Sequence, residues 1–127
     1  MSTAGTPISA FNNQLIAFVE DLTDSFPEEA SLKTAVDTLK ALKRANPKMI
    51  HTAFMSFIYP DFHAPVKAED EVTLIAKARS VLDSEYKDYA FAYLIFDKHW
   101  STMTEANKKA IWNWCKVLVV LAERASA

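Results

Sequence analysis

The chain has 127 residues and a single glycine, Gly5, where average usage gives about nine. Glycine-rich phosphate loops of both the G-x-x-x-x-G-K and G-x-G-x-x-G kinds are therefore excluded, as are Asn-Gly hairpin turns. A formal net charge of −2, from 14 basic and 16 acidic residues, provides no bulk attraction to nucleic acid or anionic membrane, and 50% hydrophobic content excludes the disordered class.

Residues 1–6 read as a flexible tail, with no basic segment and apolar run of the secretory type. Thr6 and Pro7 open a first helix as N-cap and first helical residue. Its apolar stripe is Ile8, Phe11, Leu15, Phe18, Val19 and Leu22, and it extends to about residue 24. Phe26, Pro27, Glu28 and Glu29 mark a break and restart, the proline and both glutamates suiting a new first turn. The second helix buries Leu32, Ala35, Val36, Leu39 and Leu42, and ends on Lys43, Arg44 and Asn46. Asn46 and Pro47 repeat the cap-and-proline pattern and begin a third helix on Ile50, Ala53, Phe54, Phe57 and Ile58. Tyr59 and Pro60 end or kink it, and residues 61–67 are expected to be an extended connection.

A fourth helix is expected from about Ala68, with Glu69, Asp70 and Glu71 in its first turn and Val72, Ile75, Ala78 and Leu82 inward. A fifth, over residues 85–100, contains an eight-residue run apolar on all sides at residues 89–96. The sixth, capped by Ser101 or Thr104, runs to about residue 125 on Ile111, Trp114, Cys115, Leu118, Leu121 and Ala122, widened by Trp112, Val117, Val119 and Val120. The expected fold is all-α: a single helical domain over residues 7–125, a compact bundle of about six helices with mixed crossing angles and helices five and six central. No apolar stretch approaches the roughly 20 residues of a membrane span.

Three segments carry a resemblance: Phe11-Asn12-Asn13-Gln14-Leu15 with Glu20-Asp21-Leu22 and Phe26-Pro27; Ile95-Phe96-Asp97-Lys98-His99-Trp100; and Asn107 through Ile111-Trp112 to Lys116-Val117-Leu118. Taken together, their layout resembles small uncharacterised helical proteins encoded by large DNA viruses of algae and protists. The resemblance implies a viral origin, a helical fold, and a location in host cytoplasm or virion. It carries no catalytic residues over.

The chemistry-bearing residues point away from catalysis. His51, His63 and His99 do not form the paired spacing of a metal-binding helix, so no metal or cofactor is expected. Cys115, the single cysteine, excludes an intrachain disulfide, fits an intracellular setting, and sits mid-helix on the apolar stripe as an inert thiol. The carboxylates at residues 20–21, 28–29, 69–71 and 83–88 fall mostly at helix starts, where they offset the dipole.

Two surfaces remain. Lys40, Lys43, Arg44 and Lys48 put four cations in nine residues, which suits phosphate neutralisation. Trp112 and Trp114, two apart on one helix, diverge by about 200° and cannot both enter one core. With Val119 and Val120 they form a candidate protein interface, supported by a tyrosine stripe at residues 86, 89 and 93. The sequence thus reads as a non-enzymatic interaction or structural protein engaging a protein partner or its own copy through a helix face. The alternative is a nucleic-acid-associated accessory protein using the basic segment.

Overall fold

The computed structural model describes residues 6–82 and 98–126, with backbone only at residues 78, 79, 81 and 82. Six helices are delimited: α1 (Pro7–Ser25), α2 (Ala30–Ala45), α3 (Pro47–Phe57), α4 (Tyr59–Ala68), α5 (Glu71–Leu82) and α6 (Glu105–Ser126). Residues 98–100 are also helical, and no strand occurs among the described residues, so the fold is all-α. The expected fifth helix up to residue 97, its aromatic run at residues 89–96, the tyrosine stripe and the acidic residues 83–88 lie outside the described residues, as does the expected tail except Thr6.

The chain forms two compact units, Met1–Pro60 with Val117–Ala127, and Asp61–Lys116. In the first, α1 begins as its sequence requires: the Thr6 hydroxyl accepts from the Ser9 N–H at 3.1 Å, and Pro7 fills the first turn. Phe26 to Glu29 form a β-turn rather than the first turn of α2. The Glu29 N–H donates to the Phe26 carbonyl at 3.0 Å, with Pro27 where a turn favours it. The expected helical role of Pro27 and Glu28 is thereby corrected. Pro47 opens α3 as expected, but Asn46 supplies no side-chain cap; its N–H instead closes α2 on the Leu42 carbonyl at 2.7 Å.

The core of this unit includes Phe11, Ile16, Leu32, Val36, Ile50 and Phe54, together with Leu118, Val119 and Ala122 of α6. Phe11 meets the Phe54 ring edge-on at 5.0 Å and the His51 ring at 5.4 Å. The buried arc of α3 centres on Ile50, His51 and Phe54. Ala53 and Phe57 lie on its trailing edge and are exposed, against expectation, because one helix turns only about 100° per residue and His51 takes the inward place.

In the second unit, residues 61–67 are helical, not extended. Asp61 supports the first turn of α4, and Pro65, although inside the helix, is buried in the packing. A proline there removes one helical hydrogen bond near the end of a ten-residue helix, where few bonds remain to lose. The helix stops in a Schellman motif. The Asp70 N–H donates to the Pro65 carbonyl at 2.8 Å, and the Glu69 N–H to the Val66 carbonyl at 3.2 Å. Glu69 sits at φ 52°, the left-handed place that glycine usually fills. Asp70 then caps α5, its carboxylate accepting from the Thr73 N–H at 3.1 Å and the Thr73 hydroxyl at 2.7 Å. Leu74 is the buried residue of the first turns, and Val72, expected inward, is 76% exposed. The two stand about 200° apart around the axis, so only one can face in.

Candidate functional site

The last helix starts on a Thr104 cap, whose hydroxyl accepts from the Asn107 N–H at 3.1 Å, and runs for 22 residues. Its buried arc holds Trp112, Cys115, Leu118, Val119 and Ala122. Of the expected interface residues, this places Trp112 and Val119 inside rather than on a surface. Val119 has no exposed area, and Trp112 stacks edge-on to Trp100 at 5.3 Å. The Trp100 indole N–H donates to the Glu71 carboxylate, and the Lys108 ammonium lies 5.3 Å from the Trp100 ring centre. Trp114 is half-buried on the rim, and Val120 is exposed. The divergence of the two tryptophans is thus resolved with Trp112 in the core.

The opposite side of α6 has a pattern that the sequence reading passed over. Ala106, Ala110, Asn113, Val117, Val120 and Arg124 are all exposed, at alternating spacings of four and three. Val117 and Val120, 44% and 42% exposed, are large apolar side chains one turn apart on this face. The heptad-like spacing was available in the sequence but was masked by the broader apolar stripe behind it.

Burial pushes the Cys115 thiol up to about 12, because taking the side chain out of water disfavours the charged thiolate. His51 is also buried. Its Nε2 lies 2.9 Å from the Ala122 carbonyl oxygen and 3.3 Å from the Ser126 hydroxyl, fastening α3 to the last turns of α6. His63 is half-buried on α4, and His99 is half-buried after the undescribed stretch.

The acidic trio at residues 69–71 has structural employment at every member. Glu69 accepts from the ammonium groups of Lys116 and Lys109, at 2.5 and 3.0 Å, and these hydrogen bonds, that of Lys116 foremost, hold its carboxyl below the usual range. The Thr73 hydroxyl and N–H lower Asp70 likewise. Glu71 serves Trp100.

The basic segment forms one wall of a groove between α1 and α2, about 450 Å³ in volume, in which Lys40, Lys43 and Arg44 face Asn13, Ile16 and Glu20. The residues come from i, i+3 and i+7 of α1 and i, i+3 and i+4 of α2, so helical spacing alone puts them there. Two of the cations are engaged: Lys40 pairs with Glu20 at 3.2 Å, and Lys43 donates to the Asn13 side-chain carbonyl at 2.5 Å. Lys48 is exposed on the first turn of α3 and does not line the groove.

No family model, curated protein or solved structure matches this chain. Among the described residues, no helix is long and apolar enough to cross a membrane.

Proposed function

We propose that the protein is a non-enzymatic, all-α interaction or structural protein that works through the outer face of α6, by self-association or by binding a partner protein. One observation carries this reading: Val117 and Val120 stand more than two-fifths exposed on the outward side of a helix that already buries a full apolar arc behind them. Exposed apolar area grouped on a rigid element is costly in water and is characteristic of surfaces that become covered. Trp114 on the rim adds a residue type enriched in binding hot spots. A viral provenance and an intracellular setting belong to the same proposal; the former rests on the resemblance, the latter on the lone cysteine.

The test is affinity capture from the native cell with the wild-type chain and with Val117→Glu/Val120→Glu, together with light scattering of each. A partner, or a mass above 14.3 kDa, lost in the double variant supports the reading. A monomer whose captured proteins are the same with and without the substitutions refutes it.

A second reading, nucleic-acid association, is favoured by the convergence of Lys40, Lys43 and Arg44 on one groove wall. Its affinity would fall with salt, each phosphate contact adding about 0.9 to the log–log slope. Glu20 and Asn13 already engage two of these cations, which weakens this alternative. Unchanged mobility of labelled DNA and RNA at low salt would eliminate it.

A further inference from the structure

The outer face of α6 has the geometry of a coiled-coil seam. Positions 106, 110, 113, 117, 120 and 124 alternate by four and three, the spacing that keeps one stripe of a helix against another helix. The seam contains no acid, and its one cation, Arg124, is at an end. Lys116 and Glu123 flank it on one edge, Trp114 and Leu121 on the other, and all four are half-buried as rim positions should be. These residues share one unbroken helix, so their relative placement follows from helical geometry alone.

We infer that the occupant of this seam is α6 of a second copy of the chain, packed antiparallel about a two-fold axis with Val117 of one protomer against the partner's Val120. The inference rests on the functional reading above and names its partner. Self-complementarity argues for it. In a two-fold contact every pairing occurs twice, residue i meeting j and j meeting i. With Val117 opposite the partner's Val120, Lys116 comes opposite the partner's Glu123 along one edge, and the reciprocal pair forms at the other end. On the remaining edge Trp114 lies opposite the partner's Leu121, again twice. Asn113 faces the partner's Arg124, whose guanidinium its side-chain carbonyl can accept from.

A parallel pair lacks this match. It would bring the Lys116 edge of one helix against the Leu121 edge of the other, setting charge against apolar surface. The existing bonds from Lys116 to Glu69 and from the Tyr59 hydroxyl to Glu123 do not conflict with the antiparallel arrangement, because an ammonium has three donors and a carboxylate accepts more than one hydrogen bond. Exposed rim pairs of this kind select orientation more than they add affinity. Two valines per chain make a small contact, so the dimer is concentration-dependent.

The test is light scattering of the full chain over a concentration series. The expected mass rises from 14.3 kDa towards twice that value. Val120→Glu, at an exposed position, should remain at monomer mass with unchanged helical circular dichroism. Lys116→Glu and Glu123→Lys should each lose the twofold mass alone, since each sets like charges together. An equimolar mixture of these two variants should recover it, because the mixed pair restores opposite charges at both ends of that edge. A chain that stays monomeric throughout overturns the dimer, while the broader interaction reading is judged separately by partner capture. A dimer indifferent to Val120→Glu overturns the seam. Failure of the folded mixture to associate overturns the antiparallel register.

Discussion

The Asn12 side-chain amide donates to the main-chain carbonyl of Pro47 at 2.9 Å, tying the middle of α1 to the first residue of α3 across 35 positions of sequence. Asn12 is 1% exposed, and its own side-chain carbonyl has no hydrogen-bond partner among the described residues. One half of the amide therefore positions α3, and the other half is a buried acceptor left unmet. An unmet buried polar group typically costs about 1–3 kcal/mol. Asn12→Leu, of similar volume, removes both the tie and the unmet acceptor and should leave stability within about 1 kcal/mol of wild type. Asn12→Ala also opens a cavity and should be the less stable of the two. Urea denaturation of both variants checks the order.

Glu69 offers a test of what the near absence of glycine costs. Its left-handed backbone is worth about 1–2 kcal/mol against a residue with a β-carbon. Glu69→Gly and Glu69→Ala both lose the bonds to Lys109 and Lys116, but only the alanine keeps the backbone penalty. The glycine variant should be more stable than the alanine variant by about 1 kcal/mol, net of its larger unfolded-state entropy. Thermal or urea unfolding of the pair measures the difference, and equal stabilities would remove the backbone argument.

The same junction predicts an acid response. Glu69 and Asp70 have carboxyls lowered from ordinary values of 4.5 and 3.8. A lowered folded-state value means the unfolded chain binds protons first, so the stabilisation is complete above those ordinary values and is lost as pH falls beneath them. Denaturation midpoints should decline through that acidic window. In Glu69→Gln/Asp70→Asn the decline should be shallower, because neither amide titrates.

Cys115 should be inert. With the thiol pushed up to about 12 and the side chain 6% exposed, almost no accessible thiolate exists near neutrality. Thiol reagents should label the native chain far more slowly than the denatured chain at the same pH. Fast native labelling would show that α6 opens.

Neighbouring positions on α6 should behave oppositely. Leu118→Ala, at 2% exposure, should cost about 2–5 kcal/mol. Val117→Ala, 44% exposed, should stay within about 0.5 kcal/mol when measured in dilute solution, where no second copy covers it. Similar losses at both would place Val117 in a core.

The sequence by itself determined α1, α2, α3 and α6 and most of their ends. Periodic apolar residues, Thr6 with Pro7, Pro47 and the Thr104 cap act within a few residues of themselves, so their consequences can be read locally. The glycine shortage likewise determined which loop chemistries are missing. Tertiary structure alone decided the rest. Residues 61–67 became a helix because a Schellman stop at Glu69 and the burial of Pro65 outweigh the breaking tendency of proline. Trp112 rather than Trp114 entered the core because the buried arc of α6 is set by what packs there, and apolar character was equal on both sides. His51 took an inward place because its partner, the Ala122 carbonyl, lies 71 residues away. Local periodicity states that a helix has an apolar side. Where apolar residues ring the helix, only packing against distant segments selects which side is covered and which, as at Val117 and Val120, is left facing out.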